Sequence, residues 1–228
     1  MRLYLSSFDV GDEPAEFVKL APRGRVGIIM NALDNRPLAR PAWQAAQTKK
    51  LERLGFTVEP LDLRDFFGRA GDLAAHMEAL DAVWVNGGNA FLLRRAMRLS
   101  GFDHALTGAL AADDIAYGGF SAAAVVLPAS LRGLELVDDP HDVPEGYPED
   151  VPWDGLGVLP FSIVVHFDSD HPETEGSMKE AAFYEAGGIP YRTLRDGQAL
   201  VICNGSEFVV PARSGAGEAS ARSKLPED

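Results

Sequence analysis

A serine stands in the run IAYGGFSAAA (residues 115–124), where an apolar strand pattern meets two glycines and then small residues that favour helix. A serine on a sharp strand-to-helix turn exposes its hydroxyl, and the first helical amides point toward it. Such amides stabilise an oxyanion. The pattern therefore predicts a nucleophile elbow at Ser121, although the elbow pattern has glycine where this chain has Ala123.

Serine chemistry needs a base, and the chain has five histidines. His166 ends the apolar run FSIVV, so we expect it at the tip of a buried strand as the base, or as a histidine that only packs there. His171 is the nearest competitor, in the acid-rich loop DSDHP, whose composition also suits a metal. No second histidine or cysteine stands at ligand spacing, so we predict no metal and no cofactor.

The acid that orients the base is not decided by spacing. Asp196 lies in the tight turn LRDGQ, where aspartate is also a common turn residue. Asp138, Asp139 and Glu207 are rivals. Asp196 is the preferred candidate.

A second glycine-rich turn, NGGN at 86–89, follows another apolar strand pattern. It matches neither G-x-G-x-x-G nor the Walker pattern, so nucleotide binding is disfavoured. We expect the Gly88 amide to form an oxyanion hole together with the Ala122 amide. Asn89 is a candidate substrate-binding residue, and as a helix cap it has a structural alternative.

Strand and helix patterns alternate along the chain and predict an α/β fold, with a mostly parallel central sheet flanked by helices on both faces. Expected strands lie at 3–7, 26–30, 58–61, 82–86, 115–119, 163–165, 199–203 and 208–210. Expected helices lie near 41–54, 73–80, 91–99, 102–112, 122–127 and 177–186. The Asp-Gly and Asn-Gly turns near the end favour hairpins and hence an antiparallel C-terminal edge. Both glycine-rich turns should open at the carboxyl ends of the parallel strands, where ligands bind.

The length of 228 residues suits one domain, expected over 1–211, followed by a disordered tail at 212–228. The formal net charge of −13 disfavours nucleic acid and anionic membrane surfaces as partners. The N-terminal apolar run is too short for a signal peptide, and Cys203 is the single cysteine. Cytoplasmic location is the expectation. Residues 138–154 carry acids and prolines without periodicity and are expected to form a loop.

Four segments in order resemble the peptidase E (aspartyl dipeptidase) family of serine peptidases: GGNAFLL (87–93), GFSAAA (119–124), GLGVLP (155–160) leading to His166, and LRDGQAL (194–200). The resemblance covers nearly all of the chain up to about residue 211. It implies a fold like that of the class I glutamine amidotransferases. It also implies Ser121 as nucleophile, His166 as general base and acid, and an acid at Asp196, where the family often has glutamate.

Three departures from the family pattern bear on activity. Ala123 replaces glycine at the elbow, and its methyl crowds the turn if the backbone does not adjust. Ala90 stands where the family usually has threonine. Glu175 matches the position at which the aspartyl-specific branch carries arginine, so we predict a substrate-binding role for Glu175 and no preference for N-terminal aspartate.

The resulting expectation is a peptidase that acts on short peptides through an acyl-enzyme. A catalytically silent relative that binds a peptide or small amide is the alternative. A cyanophycinase-like activity and hydrolysis of a non-peptide amide are further variants. A small peptide is the expected partner, and the oligomeric state, a homodimer included, is left open.

Overall fold

The computed structural model describes residues 1–22 and 24–213 of the chain. Its strands are β1 Arg2–Ser6, β2 Arg25–Ile29, β3 Thr57–Pro60, β4 Ala82–Val85, β5 Ala116–Phe120, β6 Ser162–Val164, β7 Tyr191–Thr193, β8 Ala199–Cys203 and β9 Ser206–Val210. Its α-helices are α1 Ala15–Leu20, α2 Arg40–Arg53, α3 Ala70–Met77, α4 Ala90–Ser100, α5 Phe102–Ala112, α6 Ala122–Val125 and α7 Thr174–Gly187.

A seven-stranded sheet of order β3-β2-β4-β5-β1-β8-β9 forms the centre of the fold. The strands from β3 to β1 pair in parallel, whereas β8 and β9 are antiparallel and form one edge. The predicted mostly parallel sheet with an antiparallel C-terminal edge is therefore confirmed. Parallel strands need helical crossovers, which explains the alternation of elements along the chain.

Three elements differ from expectation. The strand expected at 163–165 is β6, and it pairs with β7 in a separate two-stranded parallel sheet. Neither β7 nor α1 was predicted, because each is short and carries charge that breaks an apolar pattern. The hydrogen bond from the Leu194 N–H to the Val164 carbonyl, 2.8 Å long, extends the β6–β7 pair toward residues 166 and 196.

The sheet is buried on both faces, and alternate residues of β1 show this directly. Leu3 and Leu5 belong to one hydrophobic cluster, and Tyr4 belongs to the cluster on the opposite face. Side chains alternate along a strand, so a strand covered on both sides is apolar throughout. Packing on both faces holds the ends of the strands in place.

Strand register brings three strand ends together at one edge. Val85 of β4 pairs with Gly119 of β5, and Phe120 pairs with Ser6 of β1. The residues that follow these strands, Asn86, Ser121 and Ser7, therefore meet at the carboxyl edge of the sheet. This is the edge at which ligands bind in open α/β sheets.

The segment 138–154 is a loop anchored by arginines of α4. The buried guanidinium of Arg95 donates to the carbonyl oxygens of Pro148 and Pro140, both at 2.9 Å. Arg94 and Arg98 form ion pairs with Asp154. The anchoring ties the loop to the helix that starts at the second glycine-rich turn.

Most of the predicted tail, 214–228, lies outside the described residues. Arg213 is described, and its backbone N–H donates to Asp12 at 2.9 Å while its side chain pairs with Glu13. In the described part of the chain, no helix is both long and apolar enough to cross a membrane.

Candidate active site

Ser121 lies between β5 and α6 with φ 52° and ψ −112°, a backbone conformation that L-residues rarely adopt. Its N–H donates to the Ser6 carbonyl at 3.2 Å, so the strained turn is tied to the end of β1. Strained residues of this kind cluster at functional sites, because the surrounding structure must hold them. The turn has the form of the predicted elbow.

The elbow accommodates Ala123 through Gly119. A β-carbon added at Gly119 would lie 2.5 Å from the Ala123 β-carbon and 2.3 Å from the Val85 carbonyl oxygen. The Ala123 methyl therefore fills the space that the absent Gly119 side chain leaves, and Ala123 is fully buried. Its carbonyl accepts a hydrogen bond from the Tyr117 hydroxyl at 2.8 Å. The extra methyl packs into the core beneath the turn.

The turn at Gly87 and Gly88 faces the elbow. Gly88 has φ 136°, and a β-carbon there would lie 2.4 Å from the Ala32 carbonyl oxygen, so only glycine fits. Within residues 1–22 and 24–213, the N–H groups of Gly88 and Ala122 form no hydrogen bond. Free backbone donors beside a serine that lines a cavity are the groups that can stabilise an oxyanion.

His166 and Asp196 are joined by a hydrogen bond of 2.7 Å between Nδ1 and Oδ1. His166 is 1% exposed and has φ 55°; its N–H donates to the Ser7 hydroxyl at 2.8 Å. The same hydroxyl lies 2.8 Å from Asp196 Oδ1, and the Ser169 hydroxyl accepts from the Asp196 N–H at 2.9 Å. The Thr174 hydroxyl donates to the His166 carbonyl at 3.0 Å. Both residues are thus held through their backbones as well as their side chains.

The pKa of Asp196 reflects this environment. Burial opposes ionisation of the carboxyl, but the hydrogen bond and the charge interaction with His166, together with Ser7, hold its pKa below the ordinary value. With Asp196 ionised, His166 Nδ1–H is the donor and the Nε2 lone pair is left to face away from the acid. That is the tautomer a general base requires.

The rival acids lie elsewhere. Asp138 accepts from the Ala90 N–H at 2.8 Å, at the start of α4. Burial, first, and the charge of Glu173 raise the pKa of Asp138 to about 7. Asp139 accepts from the His141 N–H at 2.8 Å, and Glu207 pairs with Arg192 on the exposed edge strand. Among the four candidates, Asp196 is the one bonded to His166.

His171 and Glu173 surround the other side of His166. The rings of His171 and His166 stack with centroids 3.7 Å apart and planes 6° from parallel. Glu173 Oε2 lies 3.6 Å from His166 Nε2. Removal of its carboxylate from water, and the nearby charge of Asp196, raise the pKa of Glu173 against the attraction of His166.

His166, His171 and Glu173 present three donor atoms within 4.8 Å of one another, as a metal site could. The stack opposes this arrangement, because imidazole lone pairs lie in the ring planes. An ion midway between rings 3.7 Å apart lies about 1.8 Å out of each plane, while a metal–nitrogen bond is about 2.1 Å long. A shared ion therefore requires one ring to turn out of the stack.

A small cavity of about 70 Å³ joins the two halves of the site, and we call it the elbow cavity. It is lined by Phe8, Leu33, Trp43, Asn86, Gly87, Gly88, Phe120, Ser121, His166, His171 and Glu173. Ser121 and His166 face the same space, and within the described residues no hydrogen bond joins them. Glu173 is the acid in this lining, which contains neither lysine nor arginine.

Two predicted binding residues do not line the elbow cavity. Asn89 caps α4, with its Oδ1 accepting from the Leu92 N–H at 2.9 Å, which is the structural alternative stated above. Glu175 is exposed in the first turn of α7 and pairs with Lys179 at 2.7 Å. Positions two apart lie on opposite sides of a helical turn, so Glu173 faces the cavity and Glu175 faces away. Glu175, the residue assigned by resemblance, therefore does not line the elbow cavity.

Sequence reasoning missed Ser7, Ser169 and Glu173. Ser7 follows β1, and the strand order that brings its end to the elbow is known only from the structure. The hydroxyl of Ser169 and the carboxylate of Glu173 reach the site through the loop after His166, whose path no local pattern predicts.

Together, a doubly covered, mostly parallel sheet and a strained serine elbow facing a His–Asp pair define an α/β protein built like the hydrolases that carry a serine nucleophile. The chain belongs to peptidase family S51, whose family model matches residues 39–210. The predicted resemblance to peptidase E is thereby confirmed, and membership of this family supports a peptidase.

Individual relatives agree with this assignment. Peptidase E of Streptomyces coelicolor is 33% identical over 135 residues, which are 57% of this chain and 52% of that protein. The peptidase Lmo0363 of Listeria monocytogenes, itself uncharacterised, is 27% identical over 124 residues, 54% of this chain and 57% of that protein. The chain thus matches just over half the length of these curated relatives.

Two solved structures share the fold. A structure described as a peptidase E protein from Listeria monocytogenes EGD-e superposes with a TM-score of 0.75 at 23% identity, covering 92% of this chain and 97% of the other. A peptidase from an acI-B1 actinobacterium gives a TM-score of 0.67 at 17% identity, covering 92% and 86%. At these identities the likeness concerns the fold alone.

Proposed function

We propose that this protein is a serine peptidase that hydrolyses short peptides through Ser121, His166 and Asp196. The observation that carries the proposal is the 2.7 Å His166–Asp196 hydrogen bond beside a cavity lined by Ser121 and Gly88. A base oriented by an acid, a strained serine and free backbone donors are the parts that acyl transfer needs.

The reaction follows from these parts. His166 Nε2 takes the Ser121 hydroxyl proton as Oγ bonds to the peptide carbonyl carbon. The Gly88 and Ala122 N–H groups stabilise the oxyanion, and the C–N bond breaks as Nε2–H protonates the leaving amine. Water then attacks the ester, Nε2 takes its proton, and Ser121 regains a proton as the acid product leaves.

The elbow cavity favours a small substrate. Its volume of about 70 Å³ is well below the several hundred Å³ of a pocket for a larger ligand. Its apolar walls, Trp43, Leu33 and Phe120, suit a short side chain or the end of a peptide. A dipeptide or tripeptide is therefore the substrate class that we propose.

The charge of the cavity argues against N-terminal aspartate. Glu173 is the charged group beside His166 Nε2, and two carboxylates close together repel unless one is protonated. The ammonium group of a peptide N-terminus, or a basic side chain, complements Glu173 instead. We therefore propose a preference for neutral or basic N-terminal residues, with Glu173 in the role first assigned to Glu175.

A fluorophosphonate probe tests the nucleophile without knowledge of the substrate. We expect the wild-type protein to be labelled at Ser121 and the Ser121→Ala variant to remain unlabelled. Absence of serine-dependent labelling in the folded wild type contradicts the proposal and favours a silent peptide-binding protein.

Dipeptide kinetics test the substrate. We expect kcat/KM for Ala-Leu and Arg-Leu to exceed that for Asp-Leu. In Glu173→Gln, the difference in kcat/KM between these dipeptides and Asp-Leu should be smaller. Glu175→Gln is the matched control, since its carboxylate is exposed and paired with Lys179. A clear advantage for Asp-Leu in the wild type overturns the assignment of Glu173.

A further inference from the structure

The ring stacked on His166 is the least explained part of the site. A hydrogen bond from Nδ1 to Asp196 fixes one atom of the His166 ring but leaves the ring free to tilt about that bond. The His171 ring, parallel to it at 3.7 Å, contacts the whole face of the imidazole and opposes such tilting.

His171 is itself held in place by its neighbours. Its Nδ1 accepts the Glu173 N–H at 3.2 Å, so the proton of the neutral ring is on Nε2. The Phe8 ring lies 5.4 Å from the His171 ring and 5.9 Å from the His166 ring, and it packs edge-on against Phe120 at 6.0 Å. The stacked pair is thus braced by a third ring.

The charge state of His171 agrees with a residue that contacts the base without taking up a proton itself. Burial, first, and the positive charge of His166 lower the pKa of His171 to about 4, against the attraction of Asp196. Glu173 is a further charged group that faces the ring, with its Oε2 4.0 Å from His171 Nδ1. At neutral pH the ring is uncharged and does not compete with His166 for a proton.

From this geometry we infer that His171 is a positioning residue, which holds the plane of the His166 ring so that Nδ1 meets Asp196 and Nε2 faces the elbow cavity. The inference rests on the proposed peptidase function. His171 does not replace His166 as the base, because its Nδ1 is occupied by the Glu173 N–H. The ring face, and not the nitrogen, is the functional part.

Two variants separate the ring from the nitrogen. His171→Phe keeps a flat ring and loses the acceptor for the Glu173 N–H, whereas His171→Asn keeps an acceptor and loses the ring. His104→Phe, at an exposed position of α5 outside the elbow cavity, is the control for a histidine-to-phenylalanine change.

We expect kcat of His171→Asn to fall by about 10- to 100-fold with KM within about 2-fold, because a displaced base weakens only the transition state. His171→Phe should keep kcat within about 3-fold of the wild type. If His171 served only to fold the loop through its nitrogen, the order would reverse, with His171→Asn active and His171→Phe impaired.

A measurement independent of activity distinguishes this inference from the proposed function. Proton NMR reports the His166 Nδ1–H bonded to Asp196 as a far-downfield resonance. We expect this resonance in the wild type and in His171→Phe, and its broadening or loss in His171→Asn. If the fluorophosphonate probe does not label the wild-type protein but the NMR spectra show this pattern, the proposed peptidase function is refuted and the positioning role of His171 stands.

Two results overturn the inference. One is a sharp downfield resonance in His171→Asn that matches the wild type, together with unchanged kcat. The other is an impaired His171→Phe beside an unimpaired His171→Asn, each shown to be folded by circular dichroism.

Discussion

Glu180 on α7 is a buried carboxyl whose ionisation should set the pH dependence of stability. Glu180 is 1% exposed, and it accepts a hydrogen bond from the Tyr184 hydroxyl at 2.9 Å. Burial, first, raises its pKa from 4.5 to about 8, with Asp138 and Glu135 adding to the shift. The native protein therefore binds this proton more tightly than the unfolded chain does.

The sign and size of the effect follow from this shift. Stability due to Glu180 is fully present below pH 4.5 and is lost as the pH rises through about 8. Each pKa unit corresponds to 1.36 kcal/mol, so the whole shift represents about 5 kcal/mol, of which about 3 kcal/mol falls between pH 6 and pH 9. Glu180→Gln removes the titration and keeps an acceptor for Tyr184.

Urea unfolding of both proteins at pH 6 and pH 9 is the assay. We expect the wild type to lose about 3 kcal/mol more than Glu180→Gln over this interval. Asp138 is present in both proteins, so its own titration cancels to first order. Glu185→Gln, at an exposed position of the same helix, is the control and should follow the wild type. Parallel stability curves for wild type and Glu180→Gln would refute the reasoning.

Three further changes test the elbow, the loop and the triad. Ala123→Gly should lower stability by about 1–2 kcal/mol through lost packing and helix propensity. Its rate of fluorophosphonate labelling should stay within about 2-fold of the wild-type rate. A much faster labelling rate would show that the methyl obstructs the elbow. Arg95→Met should lower stability by about 3 kcal/mol and speed proteolysis in 138–154, because the loop carbonyls lose a buried donor. The more exposed Arg98→Met should cost less than about 1 kcal/mol, and equal losses for the two variants would argue against a buried anchor. Ser7→Ala removes the hydroxyl that bridges base and acid and should lower kcat about 10-fold at unchanged KM. The control Ser6→Ala should affect thermal stability alone. Equal kinetics for the two variants would exclude a bridging role.

Local patterns predicted much of the fold and part of the site. The strand ends at Ser121 and at Gly88 could be found because glycine requirements and apolar runs are local features of the chain. β7 could not, because three residues of mixed exposure carry no periodic signal. Glu175 was assigned by a motif, and the side on which a helix presents one residue rather than another depends on how that helix docks.

Asp196 illustrates the intermediate case. The Asp-Gly dipeptide identified its turn, but three other acids remained candidates for the partner of His166. Only the distance between side chains in the folded protein decides which acid contacts the base. The Ser7 hydroxyl donates to Asp196 Oδ1 and the Asp196 N–H donates to the Ser169 hydroxyl, and both bonds join residues far apart in the sequence. No spacing rule links such residues.

By itself, the sequence determined the α/β alternation, the two glycine-rich turns and the serine at the elbow, because backbone conformation and side-chain periodicity are local. Only the tertiary structure decided which acid meets His166, that Glu173 and not Glu175 faces the cavity, and that His171 stacks on the base. These are matters of distance and ring orientation, which arise when the loop after β6 packs against the ends of β1, β4 and β5.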